Sequence, residues 1–200
     1  MTRYVGPTVE ILMKRIREEG GIALDPDEAT KILSRCQRIV NAGTKRVVAS
    51  GTLTTYKQQL VYAYRDQLPD AIDIISIKDG DRTLQRFDAL HELDAYDKSW
   101  FRRTGSQFDF WLQLGRDLLI IYPAKTVNDS VTVTYTKLTT EYTDFEIDYD
   151  SALDLPDEDV DVALGLAEVI LLLRSRTFDA ARKRMDGLVS ALALLVGGRS

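Results

Sequence analysis

The chain has 200 residues, 44% hydrophobic and 28% charged, with a formal net charge of -5. That length suits one domain of ordinary core size, or one domain carrying a modest insertion. The acidic balance argues against chain-wide affinity for nucleic acid or anionic membrane, and a single cysteine, Cys36, excludes an intrachain disulfide framework and a clustered-cysteine zinc site.

The opening Met-Thr-Arg-Tyr-Val-Gly has no secretory apolar region, so the chain reads as cytosolic when made. Val9, Leu12, Met13 and Ile16 mark one face of a first helix, with Pro7 in its first turn and Gly20-Gly21 as its stop. Asp25-Pro26-Asp27-Glu28 opens a second helix. Asp25 caps free N–H groups, Pro26 lacks a donor that nothing needs, and Glu28 sits where a capping-box partner belongs. Its buried stripe is Ala29, Ile32, Leu33, Cys36, Ile39 and Val40, and Asn41-Ala42-Gly43 ends it. Cys36 falls on the stripe, which makes it a small core residue rather than a reactive thiol.

From Thr44 the period changes to that of strands. Val47–Tyr56 is rich in Val and Thr, and Leu60, Tyr62 and Tyr64 alternate. Asp79-Gly80 and Gly115-Arg116-Asp117 predict two hairpins, between 72–78 and 82–87 and between 108–114 and 118–122. Residues 89–100 fit either a short helix or a charged loop. Phe108, Phe110 and Leu112 alternate with Asp109, Trp111 and Gln113, so the first set is expected inside the sheet and Arg102-Arg103 in a turn. Val131, Val133 and Tyr135 form the last strand. The expected fold class is α+β: a helical scaffold over 1–43 and 144–200 with an inserted antiparallel β-region over 44–143, and no parallel sheet.

An acidic run follows: Asp144, Glu146, Asp148, Asp150, Asp154, Asp157, Glu158, Asp159 and Asp161. It breaks at Leu155-Pro156 and opens into Val160–Leu173, which has almost no polar face; within it Leu164–Leu173 is too short and interrupted to span a bilayer. After Ser175-Arg176-Thr177 come Phe178, Ala181, Met185, Leu188, Leu192 and Leu195, spaced 3, 4, 3, 4, 3. That is the seam of a helix packed lengthwise on another. Arg174, Arg176, Arg182, Lys183 and Arg184 form a basic belt there. Two such helices carry more apolar surface than a small domain needs, so the pair reads as an assembly element. The candidate interface is Arg174, Arg176, Phe178, Ala181, Arg182, Met185, Leu188, Leu192 and Leu195. Acidic and basic belts of this kind can stack head to tail on copies or a partner, or be solvated helix-end charges.

Chemistry is sparse. His91 is the only histidine and has no Ser, Cys or metal partner at a recognisable spacing. No phosphate-binding glycine loop is present. Asp148, Asp150 and Asp154 lack the glycine and terminal glutamate of a calcium loop. Basic and aromatic residues mix at Trp100-Phe101-Arg102-Arg103 in a way that can stack bases, but sheet packing and a turn are the preferred account. No catalytic residue, cofactor or metal is expected.

Three features together resemble the head-to-tail adaptor (neck or connector) proteins of tailed bacteriophages. The first is the opening helix followed by the capped helix over 25–42. The second is Trp100-Phe101-Arg102-Arg103-Thr104-Gly105 leading into 108–114, then Leu118-Leu119-Ile120-Ile121-Tyr122-Pro123, then Val131-Thr132-Val133-Thr134-Tyr135. The third is Leu155-Pro156-Asp157-Glu158 launching an apolar helix and a second, initially charged one. The resemblance covers nearly the whole chain through loose motifs. It implies a non-enzymatic virion protein at the head–tail junction, made in the host cytoplasm. Roughly twelve copies would form a ring on the portal protein. The ring would extend the DNA channel without binding DNA specifically and would seat a downstream tail or stopper protein. A head-closure or tail-completion protein, or a ligand-binding or hydrolytic β-module with helical flanks, remain the alternatives.

Overall fold

The computed structural model describes residues 2–197, with backbone only for Leu192 and 194–197. The chain is α+β and divides into two compact units: Met1–Val47 with Leu138–Ser200, and Val48–Lys137. The helical unit takes a few residues more at each join than the change of period indicates. Its second helix runs on to Thr44 before Lys45 turns left-handed (φ 54) and returns its N–H to the Asn41 carbonyl. On the far side Tyr142 is buried, its hydroxyl donating to the Ala152 carbonyl at 2.6 Å.

In the helical unit α1 (Val5–Gly20) buries Val5, Val9, Leu12 and Ile16. Gly21 ends it at φ 65, a conformation that costs glycine nothing. Near its start the Tyr149 ring lies directly over Gly6, leaving no room for a Cβ. Helix α2 (Pro26–Thr44) is capped by Asp25, whose carboxylate accepts from the Asp27 and Glu28 N–H groups at 3.0 and 3.1 Å. Glu28 is not used as a capping-box partner; it takes Arg174 at 3.1 Å instead. Ala29, Ile32, Leu33, Cys36 and Val40 are buried as their spacing predicts. Ile39 is not: it is 57% exposed, beside a shallow groove that Val162, Leu166 and Leu188 also line.

A short turn of helix, α4 (Phe145–Asp148), precedes α5 (Asp157–Arg174), and α6 (Phe178–Gly197) closes the unit. α5 is the central helix and packs on α1, α2 and α6. Val160, Val162, Ala163, Leu164, Ala167, Val169, Leu171 and Leu172 are all buried. A helix that is apolar nearly all round belongs in a core. Most of the apolar surface of 160–173 is therefore buried inside the subunit, with Leu173 left 45% exposed, so most of it is not surplus for assembly.

The β unit holds two four-stranded sheets. One is ordered β1 (Val48–Thr55), β10 (Asp129–Lys137), β3 (Ala71–Asp79), β4 (Arg82–Thr83). The other is ordered β2 (Val61–Ala63), β8 (Leu118–Tyr122), β7 (Phe110–Leu114), β5 (Gln85–Arg86). Most pairings are antiparallel. Two short ones are parallel, β5 with β7 and β6 (Thr104–Gly105) with β9 (Ala124–Lys125), against the expectation of none. Gly80 (φ 60) and Gly115 (φ 63) sit in the two hairpin turns. Leu84 breaks the expected strand over 82–87, so its two halves join different sheets. Tyr64 leaves the alternating strand as well and starts a 3₁₀ turn, Tyr64–Asp66, while staying buried.

Between the sheets lie Leu53, Tyr62, Ile74, Ile77, Phe108, Trp111, Ile121 and Val133. The alternation over 108–112 therefore resolves differently from expectation, with Trp111 turned in beside Phe108. Leu112 is buried on the opposite face with Ile120, Tyr122 and Leu93, and Phe110 packs against them. That second face is covered because residues 89–100 do form a helix, α3 (Leu90–Tyr96).

Candidate assembly interface

The candidate interface lies where α5 hands over to α6. Arg176 turns left-handed (φ 61), and the Ser175 hydroxyl donates to the Leu172 carbonyl at 2.8 Å. The reversal lays α6 antiparallel along α5. Arg184 meets Glu168, and the Leu188 side chain reaches Gly165, where an added Cβ would stand 3.1 Å from it.

Two fully buried carboxylates key neighbours onto α5. Asp159 accepts from the Thr44 hydroxyl at 3.1 Å and faces Arg46 at 3.4 Å. Glu168 accepts from Arg15 on α1 at 2.8 Å and holds Arg184 of α6 in a close ion pair that is not aligned as a hydrogen bond. Both arginines are half-exposed, so each spans from the buried charge to water. Glu168 thus ties three helices through one side chain.

The seam read from the sequence is divided between two sides of α6. Ala181 and Leu188 are buried in the subunit's own core, and Ala191 packs partly against it. Phe178, Met185 and Val189 point outward at 62%, 38% and 57% exposure. The side chains of Leu192 and Leu195 lie outside the described residues. The reason is the helical period. Ala181, Arg184, Leu188 and Ala191 lie along one line of α6, while Phe178, Arg182, Met185 and Val189 lie along another, roughly 100° round the axis. Val189 had not been picked out, although its 4-residue step from Met185 was visible.

Much of the acidic run, and two residues of the basic belt, are engaged within the subunit. Of the basic group, Arg174 pairs with Glu28 and Arg184 with Glu168. Arg176, Arg182 and Lys183 are exposed. Of the acidic run, Asp144 caps α4, Asp148 accepts from the Thr143 and Asp144 N–H groups, and Asp154 accepts from Thr140. Asp161 pairs with Arg3 at 2.5 Å and Glu158 with Arg46 at 2.9 Å. The acidic run is thus mostly capping and cross-linking within the subunit, while three of the five residues of the basic belt face solvent.

The other chemistry-bearing residues lie outside α5 and α6. Cys36 is buried, and burial pushes its thiol up to about 12, so it stays protonated at neutral pH. His91 lies exposed on α3 rather than in a loop. Phe101 is exposed on the 3₁₀ turn Trp100–Arg102, with the Arg102 guanidinium over its ring at 5.2 Å. Arg103 pairs with Asp97 at 3.3 Å. Among the described residues, no group of His, Cys, Asp and Glu is placed to hold a metal, and no helix is long and apolar enough to cross a membrane.

One cluster in the β unit escaped the sequence. The buried Lys125 ammonium lies 2.9 Å from Asp79, 2.5 Å from Asp129 and 4.4 Å above the Phe108 ring. Burial works against its charge, but the hydrogen bonds to Asp129 and Asp79 outweigh this and raise its pKa. The Lys125 hydrogen bond, aided by the Ser130 N–H, holds the Asp129 carboxyl below its ordinary range. The Lys125/Asp129 spacing of four could be seen in the sequence; Asp79, from a distant strand, could not. Searches against protein-family models and curated proteins found no match to the chain.

Proposed function

We propose that this chain is a structural virion protein of a tailed bacteriophage. As a head-to-tail adaptor it would form a ring of roughly twelve copies below the portal, extend the DNA channel and seat the next tail component. The observation that carries the reading is the outward line of α6. Three large apolar side chains stand exposed on α6, while the core of the unit is built mainly by α1, α2 and α5, with only Ala181 and Leu188 of α6 buried in it among the described residues. An uncovered apolar stripe along one side of a helix supports a docking role. The α+β order, with a β unit inserted between paired helices, agrees with the family that the sequence resembles. The net charge of -5 suits a channel through which DNA slides without sticking.

The test is the mass of the purified protein with and without purified portal, by light scattering at low and moderate salt. The expected result is co-migration in a complex carrying many copies per portal. No co-migration under either condition would remove the adaptor reading.

A further inference from the structure

We infer that α6 pairs with α6 of a second copy, antiparallel and about a two-fold axis, through its outward line. This state of the free protein does not depend on the adaptor reading.

The line is Phe178, Arg182, Met185 and Val189, spaced 4, 3, 4 as in a coiled-coil seam. All four are exposed. One of the four is a cation, and that residue decides orientation. A parallel pair would place Arg182 directly against Arg182 of the second copy, like charge on like. An antiparallel pair centred between positions 182 and 185 sets Arg182 against Met185 and Phe178 against Val189. The two-fold axis then keeps the same flank of both helices on the same side. By the helical period Asp186 lies on the same flank of the line as Arg182, within reach of Arg182 of the second copy, twice per pair.

Within one copy these two residues stand four apart with the cation first, the weaker order for a helical ion pair. Among the described residues neither has an ion-pair partner. The outward line therefore carries a self-complementary set: two apolar contacts at its ends and one residue of each sign at its middle. An exposed line of about three turns is small for an interface, so the pair should be weak and concentration-dependent.

The test is sedimentation equilibrium of the full chain over roughly two decades of concentration, spanning the weak range expected for a small contact. The expected result is a mass rising toward twice that of the monomer. Met185→Asp should hold the protein at the monomer mass with an unchanged melting transition; Val189→Glu makes the same test should Met185→Asp fail to fold. Arg182→Glu and Asp186→Arg should each weaken pairing about tenfold, and the double exchange should restore it to within about threefold. Four results would overturn the inference: a monomer throughout, a closed assembly larger than two, pairing that survives Met185→Asp, or no restoration by the double exchange. Because pairing is read without portal, its failure leaves the adaptor reading to the portal experiment.

Discussion

α5 and α6 follow one another directly and both are rich in Leu, Ala and Val, yet they end in opposite environments. α5 is enclosed by α1, α2 and α6, and its only fully buried charges are the two that bind neighbours, Asp159 and Glu168. α6 has one neighbour line and one open line. It meets α5 through Ala181, Leu188 and the Arg184 ion pair while Phe178, Met185 and Val189 face outward. Apolar content alone does not say whether a helix is core or surface; what decides is how many sides other elements cover.

The sharpest way to break this contrast is through Glu168. Replacing both Arg15 and Arg184 by Ala leaves a buried carboxylate without a partner, and should cost about 3–5 kcal/mol in urea unfolding. Glu168→Met should cost far less, within roughly 1 kcal/mol, because the half-exposed arginines can turn to water. Equal losses for the two constructions would show that Glu168 is not the key to the three-helix junction.

Apolar truncations on the two helices extend the comparison. Leu164→Ala, inside α5, should cost about 2–4 kcal/mol through lost burial and a residual cavity. Phe178→Ala, on the outward line of α6, should stay within about 0.5 kcal/mol. A Phe178 effect as large as that of Leu164 would mean the outer line is part of the monomer's own core. Leu188→Asp falls on the α5 side, and burying its charge should cost about 1–3 kcal/mol. An unchanged melting transition would contradict its burial.

The smallest expected effect is a pH dependence in the β unit, where the buried charge has the opposite sign. Asp129 is depressed in the folded state by Lys125. Its contribution is therefore complete above the ordinary carboxylate range and is lost as pH falls through the depressed value. Lys125→Met should be less stable than the parent near pH 6, with the gap closing toward about pH 3. A gap independent of acid pH would separate Lys125 from the Asp129 carboxylate. The raised Lys125 acts at the other end of the scale, its stabilisation being lost only as pH rises through a value above the ordinary lysine range.

Much of the chain was legible from local rules. The Asp25 cap, the glycine stops and hairpin turns, the Cys36 stripe and the insertion of strands between helices each depend on residues near one another in sequence, and backbone sterics or period settle them there. Tertiary structure decided where a residue's surroundings come from distant parts of the chain. The pattern over 108–112 could not show that α3 covers the second face of its sheet and so allows Trp111 and Leu112 to be buried on opposite sides. The acidic run could not show that Asp159 and Asp161 are matched by Thr44, Arg46 and Arg3, more than a hundred residues away. The 3, 4 spacing from Phe178 to Leu195 defined a helix with an apolar arc, since the period is intrinsic to the backbone. Which edge of that arc is core and which is open was decided by the position of α5, because burial belongs to the pair of helices and not to either one.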